Sequence, residues 1–324
     1  MKMKFAGIAL AAAALICGTT GINAQTDYPN KPVKILVGYV PGGGPDMVAR
    51  ALGQKLSEIL GQPFVVDNRP GAGGSSVTAQ VARMAPDGYN LLLGETGQLV
   101  IAPYIYKNLA YDTLKDLTPV ALVTTEPLLL VASPKAPFKK LDELMREARA
   151  NPGKYNYGSS GVGTIHHISM EAFKADAGLD IAHVPYKGSG QSVPGILAGD
   201  VPLLITSFAA AGAHIRAGSL NLLAVTSPGR LPGFPAVPTI GETVKGYDFA
   251  SEMGVLGPPG MPPAVLNKLT AAIKQAAESP DFIAKFKETA TAITYKSPAD
   301  YTENLRANLK KYERAVKAAR IAAE

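Results

Sequence analysis

Apolar residues occur along the chain as short β-like runs that alternate with segments of helical periodicity. The first run is VKILV at residues 33–37, and similar runs follow at residues 64–66 and 91–93. After the first run, apolar residues recur at the spacing of one helix face, at Val48, Leu52, Leu56 and Ile59. A repeated order of strand, helix and strand predicts parallel sheets with helices on their faces. Ligands of such sheets bind at the carboxyl ends of the strands.

A long β-rich run and a later strand divide the chain. The sequence LTPVALVTTEPLLLV at residues 117–131 is longer than an ordinary strand, so we interpret it as a segment that crosses between two domains. Residues 249–257 are the predicted return crossing. We assign the last helix, which begins after Ser297, to the first domain, because one face of that sheet needs a cover. The predicted organisation is a signal peptide at 1–24, domain 1 at 25–125 plus 250–324, and domain 2 at 126–249.

The first 24 residues have the pattern of a secretory signal peptide. Two lysines precede an apolar run at residues 5–16, and small and polar residues lead to a predicted cleavage after about Ala24. The only cysteine, Cys17, would be removed with this leader, and the bulky pair Leu15-Ile16 before it does not suit lipid attachment. We therefore expect an exported, periplasmic protein without disulfides or thiolate chemistry.

Composition and spacing exclude several kinds of function. The net charge of the whole chain is +6, and two of its lysines lie in the leader. The basic residues do not form a patch with interleaved aromatic residues. We therefore expect no nucleic-acid partner. No glycine turn has the Walker or GxGxxG spacing, and the histidines lack the spacing of metal ligands, so we expect neither a cofactor nor a metal. About 300 mature residues are enough for two domains, each with its own core.

Two glycine-rich turns, each between a strand and a helix, are the candidate binding elements. The first is YVPGGGPDMVAR at residues 39–50, and the second is GSSGVGTIHH at residues 158–167. Glycine lets the backbone approach a ligand closely, and the free N–H groups at a helix start favour an anion. We expect the two turns to face each other across a cleft and to hold a carboxylate there.

An exported α/β enzyme, for example a hydrolase acting on a small organic acid, is the alternative function. Ser160 lies in a tight glycine turn, but Val162 occupies the position where a nucleophile elbow needs glycine. His166 and His167 are adjacent on a predicted helix and point about 100° apart, so they cannot reach one point together. His183 and His214 are isolated in the sequence. We interpret the histidines as hydrogen-bonded groups near a cleft or the surface rather than as catalytic or metal-binding residues.

Five motifs in the chain resemble the periplasmic receptors of tripartite tricarboxylate transporters, also called the Bug family. They are YPNKPVKILVGYVPGGGPDMVARALG, VVDNRPGAGGSS, APDGYNLLLG, GSSGVGTIHHISMEAF and HVPYKGSG. The resemblance covers nearly the whole mature chain. It implies an α/β, two-lobed clamshell like the type II periplasmic binding proteins, in which each lobe is a mostly parallel sheet flanked by helices and two crossing strands join the lobes. It also implies a monomer that closes on a small carboxylate without catalysis and delivers it to an integral-membrane permease.

The resemblance further implies which loops hold the ligand. The carboxylate would bind at residues 39–46 and at residues 159–164, and residues after other strands would line the same cleft. The predicted ligand-binding residues are Tyr39, Gly43, Gly44, Asp46, Thr96, Ser159, Ser160, Gly163, Thr164 and Ser207. The sequence does not distinguish a di- or tricarboxylate from an aromatic acid or an acidic amino acid as the ligand.

Some of these positions have a purely structural interpretation as well. Acidic residues are favoured in a first helical turn, so Asp46 either has only that role or accepts a hydrogen bond from a ligand amine or hydroxyl. Thr164 is a natural N-cap. Neither turn contains lysine or arginine before Arg50, so neutral dipoles would hold the anion. The nearest candidate cation, Lys187, is as well explained as a solvated lysine.

Overall fold

Parallel strands with helices between them open the described part of the chain. The computed structural model describes residues 28–286, 289–319 and 321, so the predicted signal peptide lies outside the described residues. The strands are β1 (Val33–Val37), β2 (Phe64–Asn68), β3 (Asn90–Glu95), β4 (Thr118–Ala132), β5 (Asn156–Ser159), β6 (Ala182–Pro185), β7 (Leu203–Ser207), β8 (Asn221–Val225), β9 (Ala250–Gly257) and β10 (Ala292–Lys296). The helices are α1 (Gly44–Leu60), α2 (Ser75–Val81), α3 (Ala102–Ile105), α4 (Leu141–Ala150), α5 (Ile165–Ala177), α6 (Ser189–Ala198), α7 (Phe208–Arg216), α8 (Pro263–Ala277), α9 (Pro280–Phe286) and α10 (Pro298–Ala318).

The first lobe is built around β1, which pairs in parallel with β2 on one side and with β3 on the other. In register, Ile35 lies beside Val66 of β2 and Leu91 of β3. Helices α1 and α8 cover one face of this sheet, where Ile35, Leu52 and Leu269 are fully buried in one apolar cluster. The carboxyl ends of β1 and β3 therefore lie together at one edge of the sheet.

The second lobe repeats this arrangement around β5. Strand β5 pairs in parallel with β6 and with β7, and the loop at its carboxyl end leads into α5. The fully buried Phe173 on α5 and Phe138 before α4 belong to an apolar cluster that this lobe shares with the first. Gly178 ends α5 in the left-handed conformation, with a φ of 64° that favours glycine.

Strand β4 is the crossing segment that the long apolar run predicts. Its residues from Thr118 to Pro127 pair antiparallel with β9 in the first lobe, and its residues from Leu128 to Ala132 pair antiparallel with β7 and β8 in the second. The return passes through Phe249, whose N–H donates to the Thr226 carbonyl at 3.2 Å before β9 begins. Antiparallel crossing strands thus join two parallel groups, so each sheet is mixed. The predicted domain limits stay a prediction.

Helix α10 contacts both lobes, although the sequence assigns it to the first. It packs against β4 and against the π-helical turn Gly97–Ile101 after β3, and it also packs against α5 of the second lobe. Its buried Tyr301, Leu305 and Tyr312 belong to an apolar cluster that extends into both sheets. Near its end, Lys311 Nζ donates to the Asp248 carbonyl at 2.8 Å. Within the described part of the chain, no helix combines the length and apolar character that a membrane span requires.

Candidate functional site

A cavity of about 310 Å³ lies between the two lobes. Both glycine turns contribute to its wall, together with both crossing strands and the residues that follow β3 and β7. The lining residues are Tyr39, Gly44, Pro45, Ala72, Gly73, Ser75, Glu95, Gly97, Ala102, Ile105, Tyr106, Glu126, Leu128, Ser160, Val162, Gly163, Thr164, Ile165, His166, Ser207, Ala209, Ser251 and Met253. The cavity therefore occupies the position that ligands take in open α/β sheets.

The first turn brings the start of α1 to this cavity. Gly43 is the N-cap residue in an extended conformation, and no side chain accepts a hydrogen bond from the first turn of the helix. Gly44 and Pro45 line the cavity, and proline has no N–H to satisfy at this position. The backbone N–H groups that begin α1 are thus available to an anion, with the positive end of the helix dipole behind them.

Asp46 stabilises this first turn from within the lobe. Its Oδ2 accepts from Gly42 N and from Arg50 Nε, both at 2.9 Å, and its Oδ1 accepts from Asn68 Nδ2 at 3.0 Å. Burial tends to raise the pKa of Asp46, but the hydrogen bonds from Arg50, Gly42 and Asn68 outweigh it and lower the pKa. Asp46 is only 3% exposed and does not line the cavity. These contacts favour the structural interpretation of this residue.

The second turn brings the start of α5 to the opposite side of the cavity. Thr164 is the N-cap residue, and its Oγ1 accepts from His167 N at 3.4 Å. Gly163 has a φ of 74°, and a Cβ at this position would lie 2.9 Å from Cδ1 of Ile105, which belongs to the first lobe. The backbone conformation therefore favours glycine here, and any larger residue would also have to displace the tip of the Ile105 side chain.

Ser159 and Ser160 have different environments in spite of being neighbours. Ser159 is fully buried, and its Oγ lies 2.7 Å from Nε2 of His183. Ser160 lines the cavity, and its Oγ lies 2.5 Å from Nδ1 of His166, which lines the cavity as well. Only the second of the two serines is therefore placed to touch a ligand in this structure.

The histidines of the second lobe form an internal group that the sequence does not reveal. The ring of His183 stacks on that of His167 at 3.9 Å between centroids, and on Tyr157 at 4.9 Å. His183 is isolated in the sequence, but the pairing of β5 with β6 brings it close to His167 in the fold. Burial, and secondarily His167, lowers the pKa of His183 to about 4, and burial lowers the pKa of His167 too. Within the described residues, no group of His, Cys, Asp and Glu side chains is arranged to hold a metal ion.

Two buried carboxyl groups line the cavity, and sequence reasoning missed both. Glu95 Oε2 accepts from the Tyr39 hydroxyl at 2.7 Å and from Gly97 N at 2.9 Å, while its Oε1 accepts from Ser251 Oγ at 2.8 Å. Burial, and then the charge of Glu95, raises the pKa of Tyr39 well above its ordinary value. The tyrosine hydroxyl therefore stays protonated and donates to the glutamate.

The second buried carboxyl, Glu126, lies on β4 where its pairing changes from one lobe to the other. Burial, followed by repulsion from Glu95, raises the pKa of Glu126 to about 7, and the backbone N–H groups of Phe208 and Ala209 lower it only in part. Its Oε1 has no hydrogen-bond partner among the described residues. In the sequence, the signal was a single acidic residue inside an otherwise apolar run, TTEPLLLV.

The structure brings most of the predicted binding residues to the cavity and places the others behind it. Those that line the cavity are Tyr39, Gly44, Ser160, Gly163, Thr164 and Ser207. Those that do not are Gly43, Asp46, Thr96 and Ser159. Thr96 instead accepts from Glu252 N at 2.8 Å and so ties the end of β3 to β9. No lysine or arginine is among the described residues that line the cavity, and Lys187 lies outside it. That these residues bind a ligand stays a prediction.

Comparisons with known proteins agree on one kind of protein. A family model described as "Tripartite tricarboxylate transporter family receptor" matches residues 48–321. The protein BugT of Bordetella pertussis is 37% identical over 284 residues, which are 86% of this chain and 86% of that protein. The structure of Rpa4515 from R. palustris with adipate is 33% identical, with a TM-score of 0.82 over 92% of this chain and 100% of that one. The periplasmic binding protein BugD is 29% identical, with a TM-score of 0.78 over the same shares. The two structures confirm the predicted α/β, two-lobed fold class.

Proposed function

Because the chain belongs to the tripartite tricarboxylate transporter receptor family, whose members are solute-binding receptors and not enzymes, we propose that it captures a small organic carboxylate between its lobes. The alternative of an exported hydrolase is rejected by this membership. The proposed receptor delivers its ligand to an integral-membrane permease, as the family description implies. It acts in the periplasm as a monomer, after removal of the leader near Ala24.

One observation carries the choice of a carboxylate: the starts of α1 and α5, one from each lobe, line the same cavity, and no described lysine or arginine lines it. An anion there is held by backbone N–H groups and helix dipoles rather than by an opposite charge. The structure of the R. palustris relative is described with adipate, an organic carboxylate, which supports a carboxylate as the ligand of this chain.

The mechanism of capture follows from the two crossing strands. In an open form, the ligand binds to one lobe, and rotation about β4 and β9 brings the other helix start onto it. Hydrogen bonds that form only when both lobes reach the ligand then stabilise the closed form. The permease recognises that closed form. The close approach of Gly163 to Ile105 supports such a movement, since a larger side chain at position 163 would keep the lobes apart.

The test uses two neighbouring glycines. A Cβ at Gly44 would meet nothing closer than 3.5 Å, so Gly44→Ala is expected to fold, but its methyl group lies in the cavity beside the first N–H groups of α1. We expect this variant to bind carboxylates at least about tenfold more weakly. Gly43→Ala is the matched control, because its nearest contact would be 3.7 Å and Gly43 lies outside the cavity.

Binding is measured by thermal shift with di- and tricarboxylates, aromatic acids and acidic amino acids. A ligand at a hundred times its dissociation constant stabilises the wild-type protein by about 2.7 kcal/mol. The ligand is then recovered and is expected to be chemically unchanged. The proposal fails if no carboxylate stabilises the protein, or if both glycine variants bind as tightly as the wild type.

A further inference from the structure

Two buried polar atoms at the cavity have no hydrogen-bond partner among the described residues: Oε1 of Glu126 and Nε2 of His166. Both side chains line the cavity, and they come from different parts of the fold. Buried polar groups without a partner are rare in folded proteins, because each one loses its hydrogen bonds to water. Such atoms at a binding cavity indicate where a ligand supplies the missing partner.

His166 supplies a donor on the side of the second lobe. Burial lowers the pKa of His166 to about 4, so its ring is neutral near pH 7. A neutral imidazole has one N–H and one acceptor nitrogen. When the Ser160 hydroxyl donates to Nδ1, the proton resides on Nε2, the buried nitrogen that has no partner among the described residues, and this N–H can donate to a ligand at this wall of the cavity. This N–H adds to the backbone N–H groups at the start of α5, so this side of the cavity suits a carboxylate.

Glu126 supplies an acceptor on the other side. It is only 7% exposed, and its second oxygen lies near the start of α1, at 3.8 Å from the position of a Cβ on Gly44. The start of α7 already interacts with the carboxyl group through the N–H groups of Phe208 and Ala209. Glu126 thus lies at the start of α7 with one buried oxygen, Oε1, that accepts no hydrogen bond from the described residues.

The neighbouring Glu95 makes the Glu126 side of the cavity more negative than the side formed by α5 and His166. Its oxygens are already bonded to Tyr39, Gly97 and Ser251, so it contributes negative charge without a free acceptor. A second ligand carboxylate beside Glu126 and Glu95 would meet like charges. An ammonium or amide N–H at the same place would pair with the free oxygen of Glu126.

We infer that Glu126 determines the specificity of this receptor, and that the ligand is an amphoteric acid, which carries an N–H or ammonium group in addition to its carboxylate. The carboxylate lies at the starts of α1 and α5, and the N–H group donates to Glu126. This inference rests on the proposed function of the same cavity. It predicts that the receptor rejects a plain dicarboxylate of the same length.

The pH dependence of binding supplies a second signature. An ammonium ligand favours ionised Glu126, so its affinity rises as the pH increases through about 7, the pKa of Glu126. A plain dicarboxylate favours protonated Glu126, so its affinity falls over the same range. Of the other ionisable groups that line the cavity, Tyr39 and His166 stay neutral there. Tyr106 and Glu95 line it as well, and the oxygens of Glu95 accept from Tyr39, Gly97 and Ser251.

The experiment is calorimetric titration of the full mature chain with matched pairs of acids. The pairs are glutarate and glutamate, succinate and aspartate, and butyrate and 4-aminobutyrate. We expect the nitrogen-bearing member of at least one pair to bind about tenfold more tightly than its partner, and Glu126→Gln to abolish that ratio. Glu252→Gln is the control: it also removes a carboxyl group, partly buried and bonded to Asn304 and Asn308 outside the cavity, and should keep the ratio.

Titrations of the wild-type protein at about pH 6 and about pH 8 give a result that does not depend on the folding of any variant. The same titrations of Glu126→Gln show how much of the pH dependence comes from ionisation of the ligand itself. The inference is overturned if plain diacids bind as tightly as their nitrogen-bearing partners, or if the ratio survives in Glu126→Gln. A fall in affinity of the nitrogen-bearing acid with rising pH would overturn it as well. If plain diacids alone bind, the proposed function stands and only this inference fails; if no acid binds, both fail.

Discussion

The turn that begins α1 and the turn that begins α5 have similar sequences but present their helix starts to the cavity in different ways. The first has no capping side chain, and Asp46 stabilises it from behind through Gly42, Arg50 and Asn68. The second is capped by Thr164 and adds the Ser160–His166 pair to the cavity wall. A glycine-rich turn therefore does not by itself specify how an anion is held. The acid or hydroxyl that follows the glycines decides whether backbone or side-chain groups face the ligand.

The largest effect that tests this comparison is expected from Asp46→Ala. The change removes three hydrogen bonds to a buried carboxylate and should lower the free energy of unfolding by about 2–3 kcal/mol. If Asp46 only stabilises the turn, an amine-bearing acid and a plain diacid lose affinity equally. Asn68→Ala removes one of the three bonds and should cost about 1 kcal/mol. Chemical denaturation and ligand titration measure both effects, and a selective loss of the amine-bearing acid would make Asp46 a ligand contact.

The pH dependence of this contribution has a definite sign. Because the folded pKa of Asp46 is lowered, its contribution to stability is fully present above the unfolded pKa of about 3.9. The contribution is lost as the pH falls through the lower folded value. The difference in unfolding free energy between wild type and Asp46→Ala should therefore shrink in acid, and a difference that stays constant would contradict the assigned role.

An intermediate effect is expected where the second turn meets the first lobe. Gly163→Ala forces a non-glycine residue into a positive φ and places its Cβ 2.9 Å from Ile105, so ligand affinity should fall about tenfold as the lobes are held apart. Gly178→Ala has the matched backbone strain, with a φ of 64° but open space around the Cβ. Both variants should lose about 1 kcal/mol of stability. Equal affinity in the two would show that the lobes do not close at this point.

The smallest effect is expected from the cap of α5. Thr164→Ala removes the acceptor for His167 N and should lower the unfolding free energy by about 1 kcal/mol, whereas Thr164→Ser keeps the cap and should be nearly neutral. The first turn has no capping side chain, so a substitution at Gly43 removes no corresponding hydrogen bond. Thermal unfolding of the two variants measures the difference, and an Ala variant as stable as the Ser variant would remove the distinction between the turns.

Local patterns were enough to predict the strand-to-helix turns and the crossing strand, because glycine content, run length and apolar spacing are properties of neighbouring residues. They were not enough for contacts between distant residues. Asn68 reaches Asp46 only because β1 and β2 pair, and His183 meets His167 only because β5 and β6 do. The buried glutamates were missed for the same reason: each is the one acidic residue in a mostly apolar strand, and only the folded sheet shows which side it faces.

The sequence predicted the last helix as a cover for the first domain but did not show that it contacts both lobes. Since the apolar face of α10 touches both sheets, the carboxyl-terminal helix is a component that the halves of the protein hold in common. Recombining lobes from two relatives would then require α10 to match both lobes, in addition to the match between the lobes themselves. A chimera takes α10 from one parent, so the contacts between α10 and the lobe from the other parent would be mismatched.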